Sequence, residues 1–381
     1  MTVQKNYQKK KLGVLGGGQL GRMFIQSAIN YNVDVHILDP DPNAPCRTIA
    51  QQFVQGQLLD FDDVYNFGKD CDIITIEIES VNTDALERLV AEGKEVYPQP
   101  AIIKLIQDKR TQKQFYKENQ IPTSEFYLVD DIEEVKKHSD FLPAVNKLGK
   151  EGYDGRGVQI IHDIADIDKA FNKPGILEKL IDFEEEIAVI VARNKQGQLF
   201  SYPPVSCAFH PTANLVEYLF APANISEAIS ERAVAIALNV IEKLDMVGLL
   251  AVEMFVTKNG EVLVNEIAPR PHNSGHHTIE ANYTSQFEQH LRSVLDMPLG
   301  DTSLRMPSAM VNLLGQDGYE GEAVIEGLDE VLGMKGVYVH LYGKKNTKPF
   351  RKMGHVTILE ENMEALKKKA IKIKDILKIK A

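Results

Sequence analysis

The chain has 381 residues, too many for one ordinary core, so two or three domains are expected. Hydrophobic residues make up 44% and charged residues 25%, the balance of a folded globular protein. A formal net charge of −11 argues against a broad nucleic-acid footprint, and no apolar run approaches the roughly 20 residues of a membrane span.

The N-terminal "MTVQKNYQKKK" is basic but has no following apolar core or cleavage site, so no secretory signal is expected. Cys46, Cys71 and Cys207 are far apart and show no CxxC spacing. Sparse, odd cysteines point to reduced thiols and a cytoplasmic location. Next, "LGVL" reads as a strand, "GGGQLG" as a turn, and Arg22 to Asn30 as a helix. "VDVHILD", "CDIITIEIES" and "EVYP" are further strands, which predicts a parallel sheet with crossover helices. Pro98 and Pro100 offer a boundary. Asp108 is placed to cap a helix through "KRTQKQFYKENQ" that ends before Pro122. "FLPAVNKLGKEGYDGRGVQII" reads as strand, glycine loop, strand, and "GILEKLI" and "EEIAVIVAR" as two more strands. A long helix fits Ser226 to Leu244, followed by two apolar strands around Asn259-Gly260. From about Pro307 the chain returns to strands with a basic loop, and the Lys-rich "MEALKKKAIKIKDILKIKA" closes it as a helix.

Two glycine loops carry chemistry. Gly16, Gly18 and Gly21 match G-x-G-x-x-G between a strand and a helix, with Asp39 at the end of the next strand. Taken alone this suggests a dinucleotide site; the plainer reading is a tight turn, and nothing downstream resembles a hydride-transfer centre. In "EGYDGRG", Gly152, Gly155 and Gly157 let backbone N–H groups approach an anion, with Lys147 and Lys150 before the loop and Arg156 inside it. That composition suits a phosphate lid. Asp154 would repel phosphate, so it must face something else, such as an amine-bearing substrate.

Asn-Gly between apolar strands is a strong hairpin signal. With Asn259 and Gly260 as a two-residue turn, Lys258 faces Glu261, and counting outward sets Glu253 opposite Glu266. Their Cβ atoms would then lie about 5 Å apart. Like charges so placed share a proton or bind a cation. Oxygen ligands without nearby sulfur suit Mg²⁺ or Mn²⁺, which commonly hold substrate phosphates as well. A register slip would instead turn one glutamate to solvent.

Beyond Glu266 runs "NEIAPRPHNSGHH". Its prolines keep the segment extended. Arg270 suits phosphate or carboxylate oxygens. A zinc site on His272 and His276 is disfavoured by Pro271 and Gly275 and by the lack of a third ligand. The basic stretch from Lys344 to Lys352 reads by pattern alone as a solvated hairpin.

In this order, "GVLGGGQLGRM", "DKRTQKQF", "EGYDGRG", "EKLIDFEEE" and "VEMFV…VNEIAPRPHNSGH" resemble the 5-(carboxyamino)imidazole ribonucleotide synthase family of the ATP-grasp superfamily, over Lys11 to Thr357. The resemblance implies mixed α/β and α+β architecture in three parts: a Rossmann-like domain (1–107), an ATP-grasp domain (108–300, with a lid at 147–158 and a metal hairpin at 249–267), and a domain completing the cleft (301–381). It implies Mg-ATP- and bicarbonate-dependent carboxylation of the exocyclic amine of 5-aminoimidazole ribonucleotide through carboxyphosphate, in purine biosynthesis. A cytoplasmic homodimer without nucleic-acid or membrane partners is implied as well.

Carried over by position, Glu253 and Glu266 resemble the metal ligands and Lys147 the cation on the ATP phosphates. Glu178, Lys179, Leu180 and Ile181 resemble the strand along the adenine, and Glu186 the acid on the ribose. Lys109, His210, Asn265 and the lid residues Gly152, Tyr153, Asp154, Gly155, Arg156 and Gly157 align with further nucleotide contacts. Tyr153, Asp154, Arg156, Arg270, His272, Asn273, Ser274, Lys344, Arg351 and Lys352 resemble contacts to the ribonucleotide. Asp154, Arg270 and Lys344 fall at the reacting centre. Departures from the family pattern are Lys109-Arg110 in place of an Arg-Leu pair, Asn146 in place of an apolar residue, Glu151 in place of glycine and Ser80 in place of Asn. Glu77 and Glu79 share a strand face and have no assigned role. Rival readings are an NAD-dependent dehydrogenase, a nucleotide-binding regulator with a decayed site, and a formate-using ATP-grasp relative.

Overall fold

The computed structural model describes residues 7–150, 152, 157–209 and 215–381. Its first unit is a five-stranded parallel sheet in which Leu12–Leu15 lies at the centre, flanked by Val35–Asp39 and Ile73–Ile76. The outer strands are Gln52–Gln55 and Glu95–Val96. The first helix begins three residues earlier than expected, as Gln19–Ile29. Pro100 opens a helix, Pro100–Ile106, instead of only breaking the chain; its fixed φ and missing N–H suit the first helical turn.

Asp108 caps Lys109–Glu118 by accepting from the Arg110 N–H at 2.9 Å. The chain then forms a four-stranded antiparallel sheet in the spatial order Phe126–Val129, Gly175–Lys179, Ala144–Leu148, Val158–Ile161. Asn146 sits fully buried within it, yet its amide is satisfied: it donates to Ile176 O at 3.1 Å and accepts from Phe171 N at 2.8 Å.

A nine-stranded sheet forms the body of the molecule. From one edge it runs Val262–Ala268, Gly248–Thr257, Phe183–Arg193, Val205–Phe209, Val216–Ala221, Ser308–Leu314, Lys352–Leu359 and Val337–Leu341, with Leu199–Ser201 paired beside Phe183–Arg193. The C-terminal strands therefore continue the same sheet through Tyr218–Ala221 against Ser308–Val311. Under one face lies the expected long helix, Glu227–Lys243, capped by Ser226. Its Ala233, Ala237, Val240 and Ile241 pack against Ile187, Val189, Leu250, Val252 and Met254. Period-two alternation sends the intervening residues of those strands to the opposite face.

The terminal helix stops at Ile376, and Lys378–Lys380 form a strand against Val324–Glu326. The sequence alone predicts a helix to the end of the chain. Burial of Leu377 and Ile379 in the C-terminal core overrides the helical propensity of the lysines. No helix of the described residues is long and apolar enough to cross a membrane.

Candidate active site

The expected carboxylate pair is present, but the turn that produces it differs from the expectation. Thr257 N donates to Glu261 O at 2.9 Å and Gly260 N to Thr257 O at 2.8 Å, so the hairpin loop holds three residues, 258–260. Gly260 takes the left-handed conformation that this loop needs, with φ of 77°. Lys258 consequently faces Asp182 at 2.7 Å, not Glu261. The extra loop residue would put Glu253 out of step with Glu266. A bulge at Asn265 restores the match: Met254 pairs with Val264, while Glu253 pairs with Glu266. The bulge is fastened by Val264 N donating to Pro122 O at 2.8 Å and Thr123 Oγ1 to Val264 O at 2.7 Å.

Glu253 and Glu266 lie on the sheet face opposite the apolar core. Burial and the neighbouring Glu266 push the Glu253 carboxyl up to about 7. Burial acts on Glu266 in the same direction, but the Lys109 ammonium, 2.7 Å from its Oε2, holds it below the ordinary carboxylate range. On the next strand Glu186 is raised to about 8 by burial and by Glu253. Two facing carboxylates beside an amide, without sulfur, form a hard-oxygen donor set. They would suit a divalent ion of the Mg²⁺ or Mn²⁺ type. Among the described residues no three His, Cys, Asp or Glu gather into a metal site of their own.

The four-stranded sheet brings cations over this floor. Lys147 Nζ lies 2.5 Å from Glu178 Oε2 and donates to Asn265 Oδ1 at 2.9 Å. The Glu178 side chain thus pairs with Lys147 and with Lys113 of the helix Lys109–Glu118. Lys179, on the opposite face of the same strand, donates to Phe141 O at 2.8 Å. Leu180 and Ile181 follow that strand, half-buried. Gly157 has φ of 73° at the end of the lid, and Gly152 is half-buried. Tyr153, Asp154, Gly155, Arg156 and His210 lie outside the described residues.

The segment after Glu266 divides its labour. His272 points Nε2 toward Glu253 Oε1 at 3.6 Å, while its Nδ1 meets Ser274 Oγ at 2.9 Å. Ser274 is only 1% exposed, so its hydroxyl orients the imidazole and is not itself on the cleft surface. Asn273 exchanges amide hydrogen bonds with Asn312 at 2.9 and 2.8 Å, joining the segment to the C-terminal strands. Arg270 Nε lies 2.9 Å from Glu79 Oε1; the strand ends at Ile76, so Glu77 and Glu79 lie in the bend that follows it and do not share a strand face as the sequence suggests. His276 is buried, with Nδ1 3.1 Å from Gln286 Nε2 and its ring packed on His355 at 4.8 Å between centroids. In the basic loop, Lys344 Nζ donates to Lys352 O at 2.7 Å, and the Lys352 charge acts on Glu253. Arg351 donates to Asn346 O at 2.6 Å and lines an open surface notch with Glu320 and Lys348.

The dinucleotide reading of Gly16 to Gly21 fails on Glu77. Its carboxylate accepts from Gly18 N at 2.6 Å and from Gly21 N. Asp39 accepts from Gly17 N at 2.6 Å. The amides that would cradle a pyrophosphate are taken by the protein's own acids. A Cβ on Gly16, Gly18 or Gly21 would meet Glu77 at 2.4, 2.5 or 2.8 Å, so the glycines make room for that side chain.

Comparison with known proteins agrees with this arrangement. Residues 9–107 match the ribonucleotide synthetase preATP-grasp domain, 114–287 the ATP-grasp domain, and 308–369 the phosphoribosylaminoimidazole carboxylase C-terminal domain. N5-carboxyaminoimidazole ribonucleotide synthetase from Thermotoga maritima is 42% identical and superposes with a TM-score of 0.90, over 98% of this chain and 99% of that one. The chain belongs to the N5-carboxyaminoimidazole ribonucleotide synthase family. The family resemblance seen in the sequence and the ATP-grasp fold are both upheld. A second family structure, from Aspergillus clavatus, is in complex with ADP and 5-aminoimidazole ribonucleotide; it is 33% identical with a TM-score of 0.89, over 97% of this chain and 100% of that one. The chloroplastic phosphoribosylaminoimidazole carboxylase of Vigna aconitifolia is 38% identical over 93% of this chain, which spans 65% of that protein's length.

Proposed function

We propose that the protein is an ATP-dependent carbon–nitrogen ligase that carboxylates the exocyclic amine of 5-aminoimidazole ribonucleotide with bicarbonate, in purine biosynthesis. The observation that carries this reading is the Glu253–Glu266 pair under Lys147 and Lys109, in a chain whose relative holds ADP and that ribonucleotide. A bicarbonate oxygen attacks the γ-phosphorus and ADP leaves. The resulting carboxyphosphate breaks to CO₂ and phosphate. The ribonucleotide amine then adds to the CO₂ carbon and releases one proton.

Phosphoryl transfer asks the protein for positioning and charge neutralisation. Lys147 and Lys109 meet phosphate oxygens. Glu186 holds the ribose, and the backbone of 178–181 lies along the adenine. Arg270, held by Glu79, presents its guanidinium to bicarbonate and carboxyphosphate. His272, oriented by Ser274, faces the same region. Asp154, with Lys344 and Lys352, attends the accepting amine. A divalent ion, Mg²⁺ or Mn²⁺, on Glu253 and Glu266 would neutralise charge on the β- and γ-phosphates.

The proposal includes the division into 1–107, 108–300 and 301–381, a homodimer and a cytoplasmic location. Mixing the protein with Mg-ATP, bicarbonate and 5-aminoimidazole ribonucleotide tests the activity. ADP release that requires the ribonucleotide is expected; release that ignores it, or that accepts formate in place of bicarbonate, defeats the reading.

A further inference from the structure

Lys113 is a lysine that no substrate can reach. Its side chain is 2% exposed, on the helix Lys109–Glu118. It stands four residues after Lys109, on the same helical face. Lys109 reaches Glu266 from that face, and Lys113 reaches Glu178. A buried ammonium is costly unless fully partnered. Lys113 has partners for all three protons: Glu178 Oε1, Thr123 Oγ1 and, at 3.2 Å, Ser124 Oγ. Ser124 also donates to Glu178 Oε1 at 3.1 Å.

Glu178 is 4% exposed and is shared between two lysines, Oε1 on Lys113 and Oε2 on Lys147. Two ammoniums around one buried carboxylate hold it ionised down to about 2, against the burial that raises it. Burial lowers the Lys113 pKa and Glu178 opposes that shift; with Lys113 protonated, one carboxylate and two ammoniums sum to +1. Among the described residues Lys147 uses two of its three donors, on Glu178 and Asn265.

We propose that Lys113 is a positioning residue for ATP: it draws one oxygen of Glu178 away from Lys147, so that the Lys147 ammonium stays over the cleft with positive charge to spare for the phosphates. This rests on the reading of Lys147 as the phosphate cation. Without Lys113, both oxygens of Glu178 turn to Lys147. The pair becomes neutral and internally satisfied, and its pull on a triphosphate drops. Thr123 ties the arrangement to the metal hairpin, because the hydroxyl that meets Lys113 donates to Val264 O at the bulge.

The test is a charge-balance cycle in the full-length protein, with melting temperature and circular dichroism as controls. Lys113→Met is expected to raise KM for ATP about tenfold, as loss of one nearby charge in a partly screened site should. KM for 5-aminoimidazole ribonucleotide and kcat are expected to stay within about twofold, since this charge acts on neither. The double variant Lys113→Met/Glu178→Gln removes one charge of each sign and returns the cluster to +1. Its KM for ATP is expected to fall back toward that of the wild type. A merely structural lysine predicts the reverse, with the double variant no better than the single one, and that result overturns the inference. If Lys113→Met does not fold, Lys113→Gln, which keeps a hydrogen-bonding amide, is read in its place. Lys147→Met separates the two levels. Unchanged ATP affinity there sinks the phosphate-cation reading itself. Weak ATP binding in Lys147→Met with wild-type binding in Lys113→Met sinks only the role of Lys113.

Discussion

Two parts of the molecule hold acids against glycine- or turn-rich backbone, and they use them in opposite ways. In the N-terminal unit Glu77 sits where a ligand's phosphates would sit, accepting from Gly18 N and Gly21 N, and the loop is closed by its own chain. On the central sheet Glu253 and Glu266 face each other with a cation at one edge and an imidazole at the other. The first acid is satisfied by backbone donors, whereas in the second pair Lys109 serves Glu266 and leaves Glu253 raised to about 7, with room for a further positive charge. A glycine fingerprint therefore says little until its amides are traced to their partners. Two like charges in register on an otherwise apolar hairpin say much more.

The contrast can be broken most severely at the carboxylate pair. Glu266→Gln or Glu253→Gln is expected to lower ribonucleotide-dependent ADP release by more than about 100-fold, beyond what loss of an outer partner of a metal ligand costs. The fold should remain, because a repulsive pair has been relieved; a melting temperature well below that of the wild type would contradict this. Next in size is Gly16→Ala, which forces a Cβ to within 2.4 Å of the Glu77 side chain at a φ of 104°. Urea unfolding should show a loss of about 3 kcal/mol, the upper range for overpacking. Glu77→Gln should cost about 1–2 kcal/mol, since one acceptor remains for two amides. It should still bind no NAD(H) by calorimetry, and binding would reopen the dinucleotide reading.

The smallest effect concerns the fastening of the two units. His290, on the helix Gln286–Val294, meets Thr75 Oγ1 of the N-terminal sheet at 2.9 Å. Burial pulls its imidazole down to about 3. Its folded value lies below its unfolded one, so its contribution is present above pH 6.5 and is lost as pH falls toward 3. Between pH 7 and pH 5.5 this amounts to about 1 kcal/mol. The urea midpoint should fall over that window in the wild type, and less in His290→Gln.

The hairpin shows how far the sequence could be read. Glu253 opposite Glu266 was legible from Asn259-Gly260, yet the pairing arises from a loop one residue longer and a bulge that compensates. Periodicity locates strands and faces, but it does not reveal an inserted residue whose cause is a contact to Pro122 and Thr123 from elsewhere in the chain. The helix Glu227–Lys243 was legible almost to the residue because its cap and its apolar stripe are local. Lys113 was not, because the sequence marks "KRTQKQF" only as part of a helix; the tertiary placement of Glu178 makes that lysine a buried one. Glu79 reads in the sequence as one of two acids on a strand face, but the strand stops at Ile76, and its partner Arg270 lies 191 residues further along the chain.

The unbroken ladder from Val216–Ala221 into Ser308–Leu314 carries a practical consequence. Family boundaries invite cutting the protein near residue 300 to isolate a minimal catalytic half. Such a cut would strip a neighbour from Tyr218, Leu219, Phe220 and Ala221, baring a raw apolar margin that invites self-association. The tail of the chain is thus less an appendage than a seam, and engineering that treats it as removable should yield insoluble material.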